Sequence, residues 1–370
     1  MIVKRFEYAD EGITGREILI LMPSVVIGVG VLTFPKGLAA VTIGADGWIS
    51  VLVGGIIAIL VTWAVAKMAA SFPGQSFINY ASRIASKPVA IVLTFIFAVI
   101  ALQLTVFQVR QIGEMSKQYI FDRTPLEVVS LIFLLVVIYG ISGSRVGLFR
   151  LNMMFFPIIF FVSFVLLLFN LTRVDTGNLL PMFQTDFQGH IKGIGDVFTS
   201  YVGLGVLWFY IALVKQPKRA PKKAVIGMCI PVGLYIFIYV MTIGVFGNHV
   251  TTNLIYPTIE LAKATEIPGE FFERFESIFF VVWIMAIFNT SALTFDSAVF
   301  AITSIFQKAP KVKVIFILSP LVYFAAMLPK DIVEVAAFGS FSSFSAGIYT
   351  IFVVIFLFVI AKIRGVKHVG

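Results

Sequence analysis

Apolar stretches long enough to cross a lipid bilayer recur along this whole chain of 370 residues. A spanning helix needs about 20 predominantly apolar residues. Helices are the natural choice there, because lipid offers no partner to main-chain polar groups. Hydrophobic residues make up 59% of the chain and charged residues 13%, against about 25% charged in soluble proteins. A soluble fold could not bury so much apolar surface, so the sequence predicts an all-α membrane protein.

The apolar runs divide the chain into ten predicted transmembrane helices within a single transmembrane domain, residues 1–370. The boundaries follow from the loss of apolar character and from turn residues. The ten predicted spans are Thr14–Leu38, Trp48–Ala70, Val89–Ile112, Leu126–Ile141, Leu148–Leu171, Val197–Val214, Ala224–Phe246, Phe271–Phe306, Val314–Leu328 and Ile332–Ile363.

The basic residues indicate how the chain lies in the bilayer. The net charge is +9, but the lysines and arginines lie between apolar runs, which argues against a nucleic-acid partner. An even number of spans puts both termini on one side, and that side holds 19 of the 28 basic residues. Positive charge favours the cytoplasmic face, so both termini are expected there.

Two loops are long enough to contain short helices. Residues 73–88, on the predicted cytoplasmic side, have apolar positions at a spacing that suits an amphipathic helix at the membrane interface. Residues 248–269, on the external side, have apolar positions typical of a short lid helix.

Catalytic and metal-binding chemistries find little support in the residues. Cys229 is the only cysteine, and His190, His249 and His368 lie far apart in the sequence. No pair has metal-ligand spacing. The chain also lacks the glycine-rich phosphate and dinucleotide motifs. We therefore expect no cofactor, no metal and no enzymatic activity.

Closely spaced glycines interrupt two of the predicted spans. Gly28 and Gly30 lie in span one, and Gly203 and Gly205 lie in span six. Glycine is a poor helix former, and Gly203 follows Gly28 by 175 residues, close to half the chain. Matched interruptions in two halves indicate an inverted-repeat fold with a midplane binding site. The alternative is that the glycines only allow close helix packing.

The predicted repeats cover about residues 14–171 and about residues 197–363, with five spans each. An odd number of spans inverts the second copy in the membrane. Unwinding a helix frees N–H groups on one side of the break and carbonyls on the other. Freed N–H groups suit a carboxylate, and freed carbonyls suit an ammonium or a small cation. A zwitterionic amino acid matches both.

Polar residues in spans three and eight are candidates for the wall of such a site. Gln103, Phe107 and Gln111 recur at helical spacing in span three, and Thr290 and Thr294 do so in span eight. The alternatives are an interhelical hydrogen bond for Gln103 and a bond from each threonine to its own helix.

Asp296 is the one charged residue in the long apolar stretch from Ser277 to Gln307. Asn289, seven residues earlier, shares its helix face. A carboxylate within the membrane indicates a functional site. It could hold a cation, take part in proton transfer or gating, or pair with a base near the cytoplasmic end. The alternative is a position at the inner interface.

Several segments, in this order and spacing, make the chain resemble the B subunit of spore germinant receptors, within the amino acid–polyamine–organocation transporter superfamily. They span nearly the whole chain: residues 13–17 (ITGRE), 28–35 (GVGVLTFP), 72–77 (FPGQSF), 178–181 (NLLP) and 272–276 (FERFE) with Trp283.

The resemblance implies a LeuT-like fold of ten helices, with a 5+5 inverted repeat and broken helices one and six. It also implies a germinant-sensing role in the inner membrane of dormant spores, together with a membrane A subunit and a lipoprotein C subunit. Its small-molecule germinant is expected to be an L-amino acid. The pocket residues that it implies are Gly28, Val29, Gly30, Leu102, Gln103, Tyr201, Val202, Gly203, Gly205, Asn289, Thr290 and Thr294.

One departure from the superfamily bears on the mechanism. Several proton-coupled relatives place a lysine in the middle of span five, whereas this span has only Arg150, near its cytoplasmic end. This favours a sensor. An amino-acid or cation transporter and an ion-conducting channel subunit are the alternative functions.

Overall fold

The computed structural model describes residues 12–265 and 275–365, and helices account for most of them. The helices are α1 Gly15–Val26, α2 Gly30–Ala39, α3 Gly47–Ala70, α4 Phe77–Ile84, α5 Lys87–Tyr119, α6 Leu126–Ser142, α7 Arg145–Asn170, α8 Phe187–Phe198, α9 Leu204–Leu213, α10 Ala220–Asn253, α11 Pro257–Lys263, α12 Phe275–Ile305, α13 Lys311–Ala326 and α14 Ile332–Ile363.

Six of the described helices are long and apolar enough to cross a membrane, and a broken pair raises the number to seven. The pair is α1 and α2, whose axes differ by 53°. The shorter helices α6, α9 and α13 fall on the remaining predicted spans. The all-helical class and the break in helix one are confirmed. The predicted start of span eight, Phe271, lies outside the described residues.

Helix six is also broken, but it begins earlier than we predicted. The span was expected to start at Val197, whereas α8 already runs from Phe187 to Phe198. The chain then leaves the helix and resumes in α9, which winds as 3₁₀, α and 3₁₀ turns. The first half was missed because glycine and polar residues dilute its apolar character.

The two predicted loop helices are present. The first is α4, whose apolar side is buried inside the protein: Phe77 packs against the rings of Tyr80, Trp208 and Phe209. The second is α11, which packs on α2 and α12. Its Thr258 hydroxyl donates a hydrogen bond to the carbonyl of Val31, at 2.8 Å.

Helix α12 forms the centre of the bundle. In its most apolar window 78% of the residues are buried, against 33% in α7 and in α14, so the latter two present most of their surface to lipid. α12 packs along α5 and also contacts α1 and α7. α10 packs along α3 and contacts α1 and α2. The broken helix α1–α2 therefore lies between α10 and α12.

A loop on the predicted external side is attached to the bundle by Asp46, just before α3. The buried carboxylate accepts hydrogen bonds from the main-chain N–H groups of Phe183, Gln184 and Thr185. Burial on its own would raise the pKa of Asp46, but these hydrogen bonds outweigh it and hold the pKa below its ordinary value. Asp46 thus positions the segment that leads into α8.

Replacing Asp46 by asparagine should destabilise the protein by about 2 kcal/mol, because a charged acceptor of several hydrogen bonds is lost. A group with a lowered folded pKa contributes stability above its unfolded pKa, near 4, and loses it as the pH falls. The thermal midpoints of wild type and Asp46→Asn in detergent should therefore differ at pH 7 and converge below about pH 4. A difference that does not depend on pH would contradict this role.

Candidate ligand-binding cavity

A cavity of about 350 Å³ lies where the two broken helices face each other. Its wall combines the α1–α2 break, the α8–α9 break and one side each of α5, α12 and α14. This volume falls in the range of small-molecule sites.

The first break exposes hydrogen-bond donors. α1 ends at Val26, and the chain resumes as a helix at Gly30. The main-chain N–H groups of Gly28, Val29 and Gly30 have no acceptor within the described part of the chain. They lie at the start of α2, where the helix dipole favours negative charge. This edge of the cavity is suited to a carboxylate.

Four carbonyls of the first break have a side-chain donor within reach. The Thr290 hydroxyl lies 3.2 Å from the main-chain carbonyl oxygen of Ser24 and 3.5 Å from that of Ile27. The Tyr235 hydroxyl donates to Val26, and the indole of Trp283 donates to Gly28. Side chains of α10 and α12 therefore take the place that we expected an ammonium to take at this break.

The second break supplies the acceptors instead. It covers residues 199–203 and ends at Gly203, whose φ of +91° is readily adopted only by glycine. Thr199 and Val202 line the cavity, and their carbonyls have no hydrogen-bond donor among the described residues. Freed carbonyls suit an ammonium group.

The two breaks can approach each other closely because the glycines have no side chain between them. A Cβ on Gly30 would lie 3.2 Å from the Cα of Ser200, and a Cβ on Gly203 would lie 2.7 Å from a Cγ atom of Val25. Donors from one break and acceptors from the other therefore border one small cavity. The glycines serve both close packing and the opening of the helix.

Seven of the predicted site residues lie on the cavity wall: Gly28, Val29, Gly30, Val202, Gly203, Thr290 and Thr294. Thr294 also hydrogen-bonds to Thr105 of α5, at 3.0 Å, which holds the two central helices together.

Leu102 and Gln103 line a different cavity, bordered by α13 and the start of α14. α5 presents Leu104, Phe107, Gln108 and Gln111 to the central cavity instead. A helix turns about 100° per residue, so residue 103 lies about 80° away from Gln111, whereas residue 104 lies about 20° away. The predicted set Gln103, Phe107 and Gln111 therefore does not lie on one face of α5: Gln103 points away from the central cavity.

Three further predicted residues lie behind or beside the cavity. Tyr201 stacks on Tyr235 with ring centroids 5.1 Å apart and supports both breaks. Gly205 lies in the first turn of α9 and borders a separate small cavity. Asn289 is fully buried, does not line the central cavity, and its amide has no partner among the described residues.

Sequence reasoning missed several polar residues of the cavity: Lys36, Gln108, Asp196, Thr199, Ser200 and Ser343. Lys36 and Asp196 are the only charged residues on its wall within the described chain. Gln108 was accessible from the spacing of span three, since it directly follows Phe107. Asp196 was missed because helix six was predicted to start one residue later, at Val197.

Asp296 lies in an ion-pair cluster, which is one of the roles that the sequence allowed. Its fully buried carboxylate contacts the Arg145 guanidinium at 3.0 Å and the Lys311 ammonium at 2.9 Å. It also accepts a hydrogen bond from the Tyr210 hydroxyl, at 3.0 Å. Lys311 in turn donates to the carbonyl of Gly143. The cluster joins α12 to α9 and to the starts of α7 and α13, at the predicted cytoplasmic end.

Removing the charge of Asp296 should destabilise the protein by about 3 kcal/mol, because it leaves two cations facing each other without their partner. We therefore expect Asp296→Asn and Lys311→Gln to lower the thermal midpoint. Lys313→Gln, a matched change of an exposed lysine two residues further on, should not. Equal midpoints for all three variants and wild type would show that the cluster does not hold these helices together.

The fold and the cavity define a class, that of membrane proteins with a LeuT-like fold and two broken helices. The chain belongs to the spore germination protein family, whose model matches residues 12–335.

Curated relatives agree with this assignment. The chain is 38% identical over 341 residues to the spore germination protein GerLB of Bacillus cereus, which covers 92% of this chain and 91% of that protein. It is 30% identical to the spore germination protein YndE of Bacillus subtilis, with 86% and 88% covered. The resemblance to spore germination proteins is therefore confirmed.

Solved structures confirm the fold. MhsT in complex with L-phenylalanine superposes with a TM-score of 0.70 at 14% identity, covering 93% of this chain and 89% of that one. Mhp1, a nucleobase-cation symporter bound to bromovinylhydantoin, superposes with a TM-score of 0.64 at 13% identity, covering 86% and 72%.

Proposed function

We propose that this chain is the germinant-sensing membrane subunit of a spore germination receptor and that it binds a small L-amino acid in the central cavity. The observation that carries the proposal is the pairing of unfilled main-chain donors at Gly28–Gly30 with unfilled main-chain acceptors at Thr199 and Val202. An α-amino acid carries its carboxylate and ammonium on one carbon and can satisfy both sides. Family membership supports the role in germination.

The rest of the cavity wall is compatible with a modest apolar side chain. Val25, Val26, Phe34 and Phe107 contribute apolar surface, and the Gln108 carbonyl oxygen is buried without a partner among the described residues. An unfilled acceptor in such a place costs free energy until a donor arrives. A ligand ammonium or a water molecule would remove that cost.

The proposed setting is the inner membrane of the spore, with both termini in the cytoplasm. Its support is the distribution of basic residues and the spore germination relatives. A membrane A subunit and a lipoprotein C subunit are the proposed partners. The proposed repeats cover residues 14–171 and the second half to residue 363, with helix six now beginning at Phe187.

Signalling follows from a shift between two arrangements of the bundle. A ligand can move such an equilibrium only by its differential affinity for the two states. Binding between the breaks changes how α2 and α8 sit against α1 and α9. Tyr210 of α9 contacts Asp296, so the movement can reach the ion-pair cluster and a partner subunit on the cytoplasmic side.

Filling the cavity should abolish the response. Val202→Phe places a large ring in a cavity of about 350 Å³, so the purified variant should show no thermal shift with the amino acid that stabilises the wild type. That shift corresponds to about 2.7 kcal/mol at 100 times Kd. Val128→Phe, at an exposed position of α6, is the matched control and should bind normally. Unchanged binding by Val202→Phe would show that the ligand does not bind in this cavity.

The same protein in proteoliposomes separates sensing from transport and conduction. A sensor binds the amino acid without counterflow or current. Counterflow of the amino acid by the purified chain would instead assign it to the transporters, and single-channel current from the reconstituted complex would assign it a conducting role.

A further inference from the structure

The outer part of the cavity contains a carboxylate that nothing in the proposed amino-acid site uses. Asp196 lies near the end of α8 and lines the cavity. Its Oδ2 atom is buried, and the side chain has neither a hydrogen-bond donor nor an ion-pair partner among the described residues. A shielded carboxylate without a partner is costly, and within a membrane protein it indicates a site.

A glycine of α2 lies directly against this carboxylate. Asp196 packs against Gly37 of α2, and a methyl group on Gly37 would collide with its carboxylate. The absence of a side chain at position 37 therefore keeps room for the acid on the cavity wall.

Asp196 lies outward from the site proposed for the ligand's α-carboxylate. Gly30 and Gly37 are seven residues apart on α2, which places Asp196 about 10 Å outward from the first break along the helix axis. An amino acid held by its carboxylate at Gly28–Gly30 keeps its α-ammonium next to the break. A group farther along the ligand, or a separate ion, can lie against the outer carboxylate.

Lys36 gives the site a second charge but does not neutralise Asp196. It lines the same cavity and forms no ion pair with Asp196 in the described structure. Its positive charge competes with any cation that approaches the acid. Removing the Lys36 charge should therefore raise the affinity for a cation if Asp196 binds one. If the two residues instead form a pair that closes the cavity, the same change should destabilise the protein.

We propose that Asp196 forms an outer subsite for a cationic group, either the distal ammonium of a longer ligand or a monovalent cation that binds beside the ligand. The assignment rests on the proposed function for the position of the ligand carboxylate. It makes ligands with a second positive charge, such as basic amino acids, a substrate class for this cavity.

The test compares L-lysine with L-norleucine, which has the same carbon chain without the distal ammonium. Thermal shifts of the purified protein should give a lower Kd for lysine, and Asp196→Asn should weaken lysine about tenfold, as expected for a charged hydrogen bond, while leaving norleucine unchanged. Lys36→Gln should tighten lysine binding. Asp122→Asn, at an exposed acid, is the matched control and should behave as wild type.

A salt series identifies the source of the cation. If NaCl or KCl, compared with N-methyl-D-glucamine chloride, strengthens norleucine binding in wild type but not in Asp196→Asn, the subsite takes an inorganic cation. The proposal is overturned if Asp196→Asn changes neither lysine binding nor the salt response, or if Asp196→Asn and Lys36→Gln weaken both amino acids equally. If neither amino acid binds the wild type, the proposed function fails. The cation subsite is then tested without ligand, by whether NaCl or KCl raises the thermal midpoint of wild type but not that of Asp196→Asn.

Discussion

The architecture depends on one constraint: a main-chain polar group inside a membrane protein needs a partner, because lipid provides none. Two helices of this chain give up their regular hydrogen bonds at mid-span, and the rest of the bundle compensates. Thr290, Trp283 and Tyr235 donate hydrogen bonds to carbonyls of the first break. The N–H groups of Gly28–Gly30 keep no acceptor among the described residues. They face the central cavity together with the carbonyls of the second break.

This division explains why α12 and α10 are the most buried of the long helices. Their side chains act as caps for helix ends that would otherwise be orphaned. The stacked rings of Phe34, Tyr235 and Tyr201 extend the same support from one break to the other. Asp46 at one end of the bundle and the Asp296 cluster at the other fix segments that enter and leave the broken helices.

Hydropathy and glycine spacing were sufficient to predict the helical class, the bilayer and the two interruptions, because these are local properties of the sequence. The face that each helix turns inward was harder to predict. On α5 a shift of one position separates Gln103, which borders another cavity, from Leu104, which lines the central one. On α8 the glycines and polar residues concealed the first half of helix six, and Asp196 with it. The partners of Asp296 come from residues 145, 210 and 311, a long-range arrangement that no spacing rule contains.

Hydrogen–deuterium exchange of the purified protein, with and without a stabilising amino acid, tests the central claim most directly. We expect the ligand to slow exchange most strongly in peptides that cover residues 27–31 and 199–205, because the N–H groups of Gly28–Gly30 and of Val202 and Gly203 lack acceptors among the described residues. An amino acid that stabilises the protein while exchange in both segments stays unchanged would show that the broken helices do not form its binding site.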